Sequence, residues 1–122
     1  MDITNRTVTA RRAAGSRWAF EVRWTVTLTP SEASSGTLFQ DAYRMWEWDV
    51  SDHDALTNWS TSDPFDPPST TVKRIARLNM PADALDTESG EEEIRAQIGV
   101  RNVSAGGPWL IDRFTPIVHI SP

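Results

Sequence analysis

The stretch Arg17-Trp-Ala-Phe-Glu-Val-Arg-Trp-Thr-Val-Thr-Leu-Thr29 decides the fold. Trp18, Phe20, Val22, Trp24, Val26 and Leu28 stand at every second position. Ala19, Glu21, Arg23, Thr25, Thr27 and Thr29 stand between them. A strand turns successive side chains to opposite faces, so this order makes one apolar and one polar face. A helix would scatter the same apolar residues around its whole surface. The β-branched and aromatic content agrees with a strand.

Working outward, Ile3–Ala13 reads as a first, edge strand with Arg11 and Arg12 in solvent, and Ala14-Gly15-Ser16 as a turn. Pro30 ends the central strand, because proline donates nothing to a ladder. Ser31–Gly36 reads as a polar loop. Leu38–Val50 reads as a strand with both faces partly covered and a change of phase near Arg44. Residues 51–70 show no period and contain Asp63-Pro64 and Asp66-Pro67-Pro68, so they read as a long loop. Thr71–Met80 resumes as a strand on Val72, Ile75 and Leu78. Pro81–Gly90 reads as a loop with one helical turn at Ala82–Leu85. Glu92–Val103 alternates cleanly, and Leu110–Ile120 is a last strand with Phe114, Val118 and Ile120 inward. About six to eight such strands without an ordinary helix predict an all-β, antiparallel two-sheet β-sandwich, immunoglobulin-like or related, as a single domain. A small barrel is the alternative.

The bulk properties narrow the function. The chain has 122 residues, 39% hydrophobic and 24% charged, which is a globular composition able to form a core. A formal net charge of −5 argues against nucleic acid or an anionic membrane as partner. Without cysteine there is no disulfide, thiol chemistry or thiolate metal site. No signal peptide or membrane span is visible, so a cytoplasmic location is expected.

The acids are clustered. Glu47, Asp49, Asp52, Asp54, Asp63 and Asp66 lie between Met45 and Val72, and Asp83, Asp86, Glu88, Glu91, Glu92 and Glu93 between Leu78 and Ile94. If every connection reverses the chain, residues 14–16, 51–70 and 104–108 share one end of the sandwich. Arg11, Arg12, Arg17, Arg101 and Arg113 then lie near them, and residues 30–36 and 81–90 fall at the other end. Glu47, Asp49, Asp52 and Asp54 are the candidate metal ligands, for Ca²⁺, because calcium takes several converging oxygens at about 2.3–2.6 Å. The alternative is that Asp52 and Asp54 cap a turn.

Six tryptophans need a role. Trp18 and Trp24 belong to the core stripe. Trp46 and Trp48 share a face, and Trp59 and Trp109 sit in loops; these four are the candidate binding residues, for a sugar ring or a protein partner. His53 and His119 lack a nucleophile motif or a two-histidine metal spacing, so no catalytic residue is assigned. The reading is a non-catalytic interaction or structural module, such as one subunit of a larger assembly. A calcium-dependent module and a carbohydrate-binding module are its alternatives. Self-association by strand addition through the first or last strand is a further route, opposed by edge charges at Arg11, Arg12 and Arg113.

Overall fold

In the computed structural model, which describes residues 1–49, 52–85 and 90–122, the decisive stretch is strand β2 (Arg17–Thr27). β2 is the middle of a three-stranded antiparallel sheet, between β1 (Asp2–Ala13) and β6 (Thr71–Pro81). The facing sheet is built on β3 (Phe39–Trp48) and β7 (Glu92–Asn102). β3 also pairs with β4 (His53–Ala55) and β5 (Ser60–Thr61), and β7 with β8 (Leu110–Phe114) and β9 (Val118–Ile120). Two single-turn helices, α1 (Pro30–Ser34) and α2 (Ala82–Leu85), complete the described elements. The protein is an all-β, antiparallel two-sheet β-sandwich. No ladder joins the two sheets among the described residues, so it is not a closed barrel.

Period two governs the core. Trp18, Phe20, Val22, Trp24 and Val26 of β2 meet Phe39 and Met45 of β3 and Ile94, Ala96, Ile98 and Val100 of β7, all buried. Burying one such large side chain contributes about 1.5–3 kcal/mol. One polar cluster crosses this apolar layer. Asp41 of β3 is 1% exposed and accepts hydrogen bonds from Trp24 Nε1 at 3.0 Å and from Arg74 Nε and Nη2 at 2.8 and 3.1 Å. It ties the larger sheet to two strands of the smaller one.

Four expectations about the strands need correction. The supposed phase change near Arg44 does not occur: β3 and β7 keep one register from Phe39 to Glu47. Arg44, Trp46 and Trp48 turn outward, and it is their aromatic and aliphatic parts that gave both faces an apolar look. The aperiodic 51–70 stretch is not a loop. It runs back along β3 as β4, β5 and a bridge from Phe65 to Phe39, in pieces too short to set up an alternation. On β6 the inward members are Val72, Arg74, Ala76, Leu78 and Met80, so Ile75 faces solvent. The last strand breaks at Thr115. Phe114 pairs with Gln97 on the outer face, and the buried Thr115 hydroxyl takes the Ala96 N–H at 3.0 Å. Val50 and Ser51, and Asp86 and Glu88 of the second acidic run, lie outside the described residues.

The returning strand also reverses the loop placement. Residues 14–16, Asp49 and Asp52, and residues 82–85 and 90–91 share one end of the sandwich. Residues 28–37, 66–70 and 103–108 share the other. The Ala82 N–H reaches the Ser16 carbonyl at 2.9 Å at the first end, and Leu28 N reaches Thr70 O at 2.8 Å at the second. Asp66 lies at the far end, while Glu47, Asp49 and Asp52 of the first acidic run therefore meet Asp83, Glu91, Glu92 and Glu93 of the second at one pole. Of the arginines expected there, Arg11, Arg12 and Arg17 lie at the ends of β1 and β2 nearest it. Arg101 and Arg113 do not, since Arg101 pairs with Gln40 and Arg113 bonds Asp2 at 2.9 Å.

The polar 31–36 stretch is also not a plain loop. Thr29 caps α1, with its hydroxyl accepting from Glu32 N at 3.2 Å while the Glu32 carboxylate accepts from Thr29 N at 2.9 Å. This reciprocal pair is a capping box with proline in the first turn. The Thr29 N–H, foremost, holds the Glu32 carboxyl below its ordinary pKa. A depressed carboxylate stabilises the fold fully above its unfolded pKa and loses that contribution as pH falls through the folded value. Glu32→Gln should therefore cost up to about 1 kcal/mol at neutral pH. It should cost nothing in strong acid, which urea midpoints at about pH 6 and about pH 2 would compare.

Candidate functional site

The outer face of the larger sheet carries the chemistry. Alternation sends Gln40, Ala42, Arg44, Trp46 and Trp48 of β3 outward, because Phe39, Asp41 and Met45 are committed to the core. Directly opposite on β7 stand Arg101, Gly99, Gln97 and Arg95. Cross-strand partners share a face, so arginines and indoles interleave. Arg44 lies 4.5 Å from the Trp46 ring centre and 4.7 Å from that of Trp59. Arg95 lies 4.9 Å from both Trp48 and Phe114, and Arg101 lies 5.1 Å from Trp109. Each such contact contributes about 0.5–1 kcal/mol at an exposed site.

Trp46 and Trp48 are held tightly within this lattice. They meet edge to face at 6.0 Å, and His53 stacks flat on Trp48 at 3.7 Å. The Gln97 side-chain oxygen accepts from Trp46 Nε1 at 2.9 Å and Arg44 Nε at 2.8 Å. Arg95 donates twice to the Thr115 carbonyl, and burial, then nearby Arg6, lowers its pKa. The ring faces of Trp46 and Trp48 are thus largely used by the protein itself.

Trp59 and Trp109 are arranged differently. Trp59 precedes β5 on one side of the sheet, and Trp109 precedes β8 on the other. Between them the central strands present only Ala42 and Gly99, which pair with each other. Two indoles therefore wall a cleft of about 310 Å³, with Ala42 at its floor and Thr61 and Ile111 at its sides. Gly99 lets the far wall come down onto the sheet: a Cβ there would stand 3.3 Å from Trp109 Cε3, Ile111 Cγ2 and the Leu110 carbonyl. Ile111 is 45% exposed at the rim. Arg44 and Arg101 place a positive charge beside each indole.

The acidic pole gathers part of the expected carboxylate set. Glu47, Asp49 and Glu93 each bring an oxygen within 4.8 Å of the others, and Glu47 is wholly buried. Asp52 and Asp54 are exposed and stand outside this group, and the Asp52 carbonyl accepts the Asp49 N–H at 2.9 Å. Glu93 was missed because the loop placement read from sequence put its segment at the opposite pole. Ala42, Gly99, Arg44, Arg95 and Arg101 were missed for another reason: they matter only through the pairing of β3 with β7, which leaves no local signal. His119 pairs with Glu91 at 3.0 Å, with both side chains exposed.

No family model matches the sequence, and no curated protein sequence matches it. A protein from Archaeoglobus fulgidus with a crystal structure is similar over 98% of this chain and 93% of its own, at 8% identity and a TM-score of 0.48.

Proposed function

We propose that the protein is a non-catalytic interaction module, and that the Trp59–Trp109 cleft receives an apolar side chain of a protein partner. The single observation that carries this reading is the cleft itself, two indoles over a floor of alanine. Aromatic-walled pockets of this kind supply the anchor points of protein interfaces. Its lining is apolar apart from the Thr61 hydroxyl, which favours a hydrocarbon or aromatic side chain over a sugar with many hydroxyls to satisfy. Arg44 and Arg101 beside the two indoles favour acidic residues flanking that side chain.

Selection from a displayed random-peptide library tests this. Enrichment of an aromatic or aliphatic residue flanked by Asp or Glu, lost with Trp59→Ala and with Trp109→Ala, is the expected result. Enrichment indifferent to both tryptophans would reject the cleft, and a response to a glycan array in their place would install the carbohydrate reading.

A calcium site is the second reading, favoured by the grouping of Glu47, Asp49 and Glu93. Three carboxylates supply only part of the six to eight oxygens that calcium takes. Calcium at about 100 times its Kd would stabilise the fold by about 2.7 kcal/mol. A melting temperature unmoved by calcium, in the wild type and in Glu93→Gln alike, removes this reading.

A further inference from the structure

We infer that the free edge of β6 is a second docking site, one that adds an extended partner strand with alternating apolar and acidic residues. β6 pairs with β2 along one side over residues 71–81, and no described strand pairs with its other side. The remaining edges are poor templates. β1 breaks register between Thr4 and Thr7 and leans on the larger sheet, with Arg6 donating to the Phe114 carbonyl and Arg12 to that of Ser121. β4 and β5 have three and two residues, β8 has five with a register shift against β7, and β9 has three. β6 keeps one register over its length, and it has neither proline nor an acid between Thr71 and Met80. A long, regular edge of this kind is a template for strand addition.

Two observations define the occupant. The inward side chains Val72, Ala76 and Leu78 are only half-buried, although they belong to the core face. Of the three, Ala76 borders an open seam of about 100 Å³ between β6 and β5, reached also by Tyr43 and Ser60. An added strand with apolar residues at alternate positions would cover all three. Among the outward side chains are Lys73, Ile75 and Arg77; Arg77 bonds Glu21 of β2 at 3.1 Å with its side chain 68% exposed, and with Lys73 it favours acidic residues between those apolar positions. A second copy of this chain does not fit, because antiparallel β6–β6 pairing would crowd Lys73 and Arg77 of both copies onto one face.

The probe is a blocked peptide alternating valine and glutamate, about nine residues or ~30 Å long when extended. Its valine–lysine counterpart is the control. Amide hydrogen exchange of the whole protein should slow across residues 72–80 with the glutamate peptide and not with the lysine peptide. Lys73→Glu/Arg77→Glu should weaken the glutamate peptide roughly tenfold and admit the lysine one, and added salt should weaken both pairings. Protection at the Trp59–Trp109 cleft instead, or no slowing at 72–80 at millimolar peptide, overturns the proposal. So does concentration-dependent slowing there without peptide, which would make a second copy the occupant. Trp59→Ala should leave the β6 response intact, which separates this site from the cleft.

Discussion

Asp41→Ala should lower the unfolding free energy by about 3–5 kcal/mol, a loss out of proportion to the few atoms removed. The carboxylate is 1% exposed and accepts three hydrogen bonds from the facing sheet. Removing it leaves the Trp24 indole N–H in the core without an acceptor. It also leaves the Arg74 guanidinium, whose side chain is 29% exposed, without its counter-charge. An orphaned buried donor costs about 1–3 kcal/mol and an orphaned charge more. Urea unfolding should therefore show a lower midpoint with an unchanged slope. The companion measurement is Asp41→Leu/Arg74→Met. Replacing both partners removes the charge and the carboxylate together, so most of the loss should return and only the Trp24 N–H remains to be satisfied. If Asp41→Ala alone costs less than about 1 kcal/mol, the cluster is hydrated and does not join the sheets.

This cluster also shows where sequence reading stops. Strong, unbroken alternation was legible: β2 and β7 stand where the period placed them, and the two-sheet architecture follows from such strands. Asp41 was not legible, because an acid at an inward position looks like a flaw in the pattern until Arg74, far along the chain, is seen beside it. The 53–65 return was hidden for a different reason. Its pairing with β3 is held by backbone bonds such as Leu56 N to Met45 O and Phe65 N to Phe39 O, to which side-chain period contributes nothing. One unseen return strand was enough to move Ala82–Leu85 and Glu91–Glu93 to the other pole, and the carboxylate grouping went with them. Of the expected metal ligands, Glu47 and Asp49 were tied together by the strand period. Asp52 and Asp54 were tied to them only by nearness in sequence; both are exposed and outside the group, although Asp54 stands across from Glu47 on β4. Trp59 and Trp109 were marked by their loop positions, but a cleft needs a floor. That floor is Ala42, and its partner Gly99 lets the Trp109 wall come down beside it, a pairing invisible until the register is known.

Phe20→Ala, at the centre of the decisive strand, should cost about 3–5 kcal/mol. Phe20 is 1% exposed and stands between Ala10 of β1 and Leu78 of β6, facing the larger sheet. Deleting the ring removes its transfer free energy and leaves a cavity that paired strands on both sides prevent from collapsing. Arg23, three positions on and facing the opposite way, bonds Glu21 at 2.6 Å with 59% of its side chain exposed. Arg23→Ala should shift stability by no more than about 0.5 kcal/mol, because exposed ion pairs are screened and their side chains lose rotamer freedom in forming them. Extending the comparison to Val22→Ala and Thr27→Ala should give a sawtooth of period two in the urea midpoints. A helical segment would give a period near 3.6 instead, and a strand open to water on both sides would give a flat line. The sawtooth tests the one property on which the cleft, the carboxylate group and the β6 edge all depend. Each is built from side chains whose face is fixed by the phase of β2 through the strands that pair with it or pack against it.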